Sequence, residues 1–143
     1  MFSTSSKYAV KALLYIALNA AEGKRILAKD ISGPMNIPKA YLSKLLQDLS
    51  KHNMVSSVRG PGGGFYLTED NMKVPLIEII QVIDGDSRLN SCLLSLTNCD
   101  AEKPCPLHDI VGDSKAHFVK NLQENCIGDL VDGIKEGRSV LPI

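Results

Sequence analysis

The chain has 143 residues, is 44% hydrophobic and carries 16 basic against 16 acidic side chains. That length suits one compact domain with an appended element, and the apolar fraction excludes an intrinsically disordered chain. No run approaches the ~18 consecutive apolar residues that a membrane span requires.

Met1-Phe2-Ser3-Thr4 lacks the charged start and cleavage site of a secretion signal, so a cytoplasmic protein with no membrane partner is expected. The zero net charge hides an asymmetry. Residues 1–60 hold nine Lys or Arg against three acids, whereas residues 61–143 hold seven against thirteen. A basic half beside an acidic one indicates a polyanion partner for the first, or an ordinary solvated face.

The first predicted helix covers residues 4–20, with Ser3 or Thr4 as N-cap, and is apolar on nearly every face, so other elements must enclose it. Glu22-Gly23-Lys24 ends it. Ile26-Leu27 reads as a short strand, residues 28–32 as a short helix, and Gly33-Pro34-Met35-Asn36 as a turn. A third helix starts at Pro38, where the missing N–H costs nothing. Tyr41, Leu42, Leu45, Leu46 and Leu49 repeat at core-facing spacing. The other face carries Lys39, Ala40, Ser43, Lys44, Gln47 and Lys51, with Asp48 its single acid. Small, polar and basic, it suits a recognition helix in a major groove.

Residues 55–58 and 65–67 read as strands around Arg59-Gly60-Pro61-Gly62-Gly63-Gly64. Such a glycine tip lets backbone approach phosphates, and Arg59 can enter a narrow minor groove. A nucleotide-binding loop is excluded: no Lys-Ser/Thr pair or helix follows, and G-x-G-x-x-G is absent. The expected fold is therefore mainly α with a small β-hairpin wing, a winged helix-turn-helix followed by a long C-terminal dimerisation helix.

Residues 74–85 form another amphipathic helix closed by Gly85, and residues 86–104 a long loop without secondary structure, a length that marks function. Pro106 opens the last long helix, running to about Asn125. Its stripe of Leu107, Ile110, Val111, Ser114, Phe118 and Leu122 predicts a homodimer seam. A short helix follows Gly128. The division is residues 1–85 for DNA binding, 86–105 for a cysteine loop and 106–143 for dimerisation.

Cys92, Cys99, Cys105 and His108 are spaced C-x6-C-x5-C-x2-H. Thiolates and an imidazole in one loop suit an iron–sulfur cluster, with 2Fe–2S ahead of 4Fe–4S because of the histidine, or zinc. Bare redox thiols or incidental ones remain alternatives. Cys126 stands apart on a helical segment and reads as a small buried apolar residue. His52 and His117 read as surface or helix-end residues. No Ser/His/Asp set, acid pair or nucleotide motif supports an enzyme, and an electron carrier would need neither recognition face nor wing.

Tyr8-Ala9-Val10, Leu27-Ala28-Lys29-Asp30-Ile31, Tyr41-Leu42 and, above all, residues 55–64 (VSSVRGPGGG) resemble the IscR/NsrR-type regulators of the Rrf-two family, over essentially the whole chain. The resemblance implies a dimeric transcription regulator, here a repressor, that crosses its long C-terminal helices and binds a double-stranded DNA operator. Its contacts would come from Lys39, Ala40, Tyr41, Ser43, Lys44 and Gln47, with Arg59, Gly60, Pro61, Gly62 and Gly63 in the wing. It further implies an iron–sulfur cluster on Cys92, Cys99 and Cys105, with His108 as in IscR-like members, a cluster that aerobic handling can remove. NsrR-like members use an aspartate near the position of Lys7, which is no carboxylate. The signal would be iron or cluster supply, redox state or nitric oxide. The first cysteine gap is six rather than five residues, and Ser43 and Lys44 replace a base-reading glutamate and glutamine, so the operator sequence does not transfer.

Overall fold

The computed structural model describes residues 2–20, 24–94 and 100–143. Ser3 opens the first helix, α1 (Thr4–Asn19), by accepting the Ser6 N–H on its hydroxyl, and Ala20 closes it. Glu22 and Gly23, read as its terminator, lie outside the described residues. Ala9, Ala12, Leu13 and Ile16 are fully buried, as a helix apolar on most faces requires. Each such leucine or isoleucine contributes about 1.5–3 kcal/mol on leaving water.

α2 (Ala28–Met35) is longer than expected. Gly33 and Pro34, read as a turn, lie within it. Residues before proline normally avoid helical backbone because their Cβ meets the proline ring, and Gly33 has none. The helix stops at Asn36, which adopts left-handed backbone at φ 51°. The Asn36 N–H donates to the Gly33 carbonyl and the Ile37 N–H to that of Ser32, each at 3.1 Å, a Schellman closure. α3 (Lys39–Lys51) ends in the same way. Asn53, at φ 59°, donates to Ser50, while Met54 donates to Leu49 at 2.9 Å.

A two-stranded antiparallel hairpin follows, β1 (Ser56–Val58) with β2 (Gly64–Tyr66), in the register Ser57 opposite Phe65. The strand expected at Ile26-Leu27 is reduced to one bridge, Ile26 with Phe65, through bonds of 2.9 and 2.7 Å. α4 (Glu69–Met72), which the sequence reading missed, and α5 (Leu76–Asp84) come next. The expected long loop is interrupted by α6 (Ser87–Asn90). Then come α7 (His108–Glu124) and α8 (Ile127–Lys135). Ile127 and Val131 return to the same buried cluster as Leu13 and Ile79, so the C-terminal helix packs on α1.

Cys126 is half-buried rather than fully enclosed. It caps α8: its N–H donates to Asp129 Oδ2 at 2.8 Å and its Sγ lies 3.1 Å from the same oxygen. Those bonds hold the Asp129 carboxyl below its usual value.

The N-terminus of α1 is held by Asp84 at the end of α5. The Ser6 hydroxyl donates to Asp84 Oδ2 at 2.8 Å, the Ser3 backbone at 3.3 Å, and the Ser3 hydroxyl bonds the other oxygen. Arg88 of α6 lies 3.7 Å away. Burial pushes the Asp84 carboxyl up, but the donors from Ser3 and Ser6, with the Arg88 charge, outweigh it and leave it below its ordinary value. Its stabilisation is therefore complete above the unfolded value, near 3.9, and disappears as pH falls through the lower folded value. Asp84→Ala is expected to cost about 2–3 kcal/mol at neutral pH. Urea unfolding of both proteins at a series of pH values should show that difference narrowing below about pH 4.

Candidate nucleic-acid interface and cysteine loop

Leu42, Leu45, Leu46 and Leu49 bury one side of α3 and thereby fix what the other side presents. Lys39, Ala40, Lys44, Gln47 and Lys51 are exposed and Ser43 is half-buried. Tyr41, placed by spacing in the core stripe, is instead 38% exposed. Its hydroxyl meets Ser5 and its ring stands edge-on to Tyr8 at 6.1 Å. The polar hydroxyl keeps the residue at the rim. Asp48, the one acid on this face, lies 3.9 Å from Lys51, an exposed pair of small energetic weight.

The wing tip is a type II turn. Pro61 takes the second position, Gly62 the third at φ +72°, and the Gly63 N–H closes on the Gly60 carbonyl at 2.9 Å. A Cβ on Gly63 would overlap the Val58 carbonyl and come within 2.8 Å of that of Gly60. On Gly64, at φ +145°, it would lie 2.9 Å from the Ile26 carbonyl. Glycine is thus required by the backbone packing of the hairpin itself.

Arg25 supports the tip from outside: one guanidinium nitrogen donates to the Gly62 carbonyl at 3.1 Å, and the group lies 5.8 Å from the Tyr66 ring centre. Between α3 and the wing runs a groove of ≈ 600 Å³, bordered by Gln47, Ser50, Lys51, Ser57, Arg59 and Gly60. The Ser50 and Ser57 hydroxyls join across it at 3.0 Å. Ser50 and Ser57 were missed as candidates, since only the tertiary pairing of α3 with the hairpin brings them to the groove, and Arg25 was missed because only folding sets it against the wing tip.

In the cysteine loop, Cys92 is buried just past α6, and Cys105 is half-buried. His108 opens α7, its N–H donating to the Cys105 carbonyl at 2.9 Å. This places thiol and imidazole residues on one turn, with the His108 ring over Gly112. Cys99 lies outside the described residues. Among the described residues no three His, Cys, Asp or Glu side chains form a metal-ligating group, and the candidate set read from the sequence includes Cys99. The chemistry of that set, three thiolates and one imidazole, fits iron–sulfur or zinc.

The expected dimer stripe divides. Leu122 is 6% exposed inside its own chain's core, and the Phe118 ring packs 5.8 Å from that of Phe2. Ile110 is 73% exposed, and Leu93 and Leu94 beside Cys92 are 62% exposed each. Ser114 is also exposed, while Leu107 and Val111 are half-buried. α7 therefore uses its C-terminal half for its own fold and leaves apolar surface at its N-terminal half.

Against known proteins, residues 2–133 match Rrf2, described as an iron-dependent transcriptional regulator. The chain belongs to the Rrf2 family. It is 34% identical over 130 residues to the HTH-type transcriptional regulator IscR of Klebsiella pneumoniae (strain 342), covering 91% of this chain and 78% of that one. Its fold is similar to that of CymR, the global cysteine regulator of B. subtilis. There the TM-score is 0.73 at 22% identity, over 92% of this chain and 96% of that one. It is likewise similar to that of T. potens IscR, with TM-score 0.71 at 23% identity over 98% and 92% of the two chains. The hairpin of this Rrf2 protein is thus the wing of a winged helix, and the protein is a transcriptional regulator rather than an enzyme.

Gly63→Ala is expected to open the tip and cost about 1–3 kcal/mol of DNA-binding free energy. Gly60→Ala meets nothing within 4 Å at φ +87° and should cost only backbone strain, about 1 kcal/mol. Fluorescence anisotropy on a labelled duplex, with circular dichroism as the folding control, measures both.

Proposed function

We propose that this Rrf2 protein is a homodimeric repressor whose DNA affinity is set by an iron–sulfur cluster. The observation that carries the DNA reading is the groove between α3 and the wing, with Gln47 and Lys51 on one bank and Arg59 on the other. Lys39, Ala40, Tyr41, Ser43, Lys44 and Gln47 would enter a major groove, where polar side chains distinguish base pairs. Arg59, carried by Gly60, Pro61, Gly62 and Gly63, would enter the adjoining minor groove. Each lysine neutralising a phosphate makes binding more salt-dependent. In this reading residues 1–85 bind DNA, 86–105 hold the cofactor and 106–143 provide the dimer contact, with α8 also serving the core. A second copy would cover Ile110 and the α7 surface near Leu107 and Val111, apolar area that a monomer otherwise leaves wet.

Cys92, Cys99, Cys105 and His108 would hold the cluster, which supplies redox- and nitric-oxide-sensitive chemistry when bound. Three thiolates and a neutral imidazole carry less negative charge than four thiolates and favour a 2Fe–2S centre of raised potential. Because His108 is the first residue of α7, its imidazole would tie the cysteine loop to the dimer helix.

Protein purified without oxygen should absorb between about 400 and 460 nm, with equal iron and sulfide, and Cys92→Ser should abolish both. Colourless wild-type protein containing zinc, or no metal at all, would replace the cluster by a zinc or thiol switch of the same fold. Arg59→Ala should weaken binding to a duplex selected from a random pool by about 1–3 kcal/mol and relax its sequence preference. Unchanged affinity would remove the wing contact.

A further inference from the structure

Asn71 is 5% exposed, one of two buried polar residues among those described. It is third in α4 and lies on neither proposed DNA-binding element, yet it joins both. Its Oδ1 accepts the Ser56 hydroxyl of β1 at 2.8 Å and the Thr68 N–H at 2.9 Å. Its Nδ2 donates to the Asn53 carbonyl at 2.7 Å, and its own N–H donates to the Thr68 hydroxyl at 3.2 Å. The amide is therefore read in one orientation: the oxygen faces two donors and the nitrogen faces a carbonyl.

Asn53 is the left-handed residue that closes α3, and Ser56 begins the strand leading to Arg59. One side chain thus ties the end of the recognition helix to the base of the wing. The two-stranded hairpin is short, and a ribbon of that kind has little stability of its own, so its angle to α3 depends on such ties. The Ser50–Ser57 contact is exposed and exchanges readily with water. The Asn71 bonds are buried, where an unmatched polar group is costly.

We propose that Asn71 is a positioning residue for DNA recognition, fixing the angle between α3 and the wing so that Arg59 and the α3 side chains engage adjacent grooves together. The inference rests on the reading of Arg59 as a DNA contact.

The test is a double-mutant cycle between Asn71 and Arg59 on the selected duplex, read as Kd by anisotropy. Asn71→Asp keeps the acceptor for Ser56 and Thr68 and removes the donor to Asn53. In the wild-type background Arg59→Ala should weaken binding by about 5- to 150-fold. In the Asn71→Asp background the same substitution should cost less than about twofold, because a misdirected wing has no contact left to lose.

Val131→Ala, which loosens the core on α8, controls for lost stability: it should lower Tm while leaving the full Arg59 effect. An equal Arg59 effect with and without Asn71→Asp overturns the inference and keeps the wing contact. No Arg59 effect in the wild-type background overturns both. If Asn71→Asp does not fold, Ser56→Ala, which deletes one bond of the clamp, takes its place with the same two outcomes.

Discussion

Everything in this protein is arranged around the need to enclose α1. Its buried Ala9, Ala12, Leu13 and Ile16 leave little of its surface that water could occupy, so α2, α3, α5 and α8 pack against it. The two alanines let neighbouring backbones come close, while the leucine and isoleucine fill the gaps between them. One polar residue at the start of the helix is also buried. Ser6 has no exposed surface, which is tolerable because Asp84 accepts its hydroxyl. The carboxylate that satisfies α1 also faces Arg88, and so the core, the end of α5 and the approach to Cys92 share one electrostatic anchor. α3 receives its orientation from the same packing, which makes the basic face a consequence of burying leucines.

The helices with clear periodicity were legible in the sequence: α1, α3, α5 and α7 lie within a few residues of the expected bounds. The wing was legible for a different reason, since Pro61 and the glycines around it have few other uses. Features set by tertiary context were not. Gly33-Pro34 carries every mark of a turn, but helix continues through it because the stop signal is the left-handed Asn36 two residues later. α4 is four residues long, too short to show a period, although Thr68 followed by Asn71 at capping spacing is a signal that could have revealed it. Tyr41 fell on the leucine stripe by spacing, and its hydroxyl took it to the surface. Cys126 resembled a buried thiol because no pattern indicates that Asp129 would make it a helix cap.

The candidate site was legible in part. Lys39, Lys44, Gln47 and Arg59 are readable from one helical face and one motif. Ser50 and Ser57 reach the same groove only through folding, and folding alone sets Arg25 against the wing tip and Asn71 between Asn53 and Ser56. The cysteine loop shows the opposite behaviour: its residue types and spacing are informative in the sequence, while Cys92, Cys105 and His108 do not by themselves complete a ligand group. The candidate set read from the sequence also includes Cys99, the position preceded by the six-residue gap.

α7 is a cantilever. Its C-terminal end is clamped by Leu122 in the core and by Phe118 against Phe2, whereas its other end begins at His108. Fourteen residues separate His108 from Leu122, a lever arm of about 21 Å at 1.5 Å per residue. A tilt of about 5° at the clamp would carry the His108 end through about 2 Å over that length, comparable to the length of one covalent bond between a metal and its ligand. Over that length, small repacking around Phe2 and Phe118 is magnified along α7 toward His108.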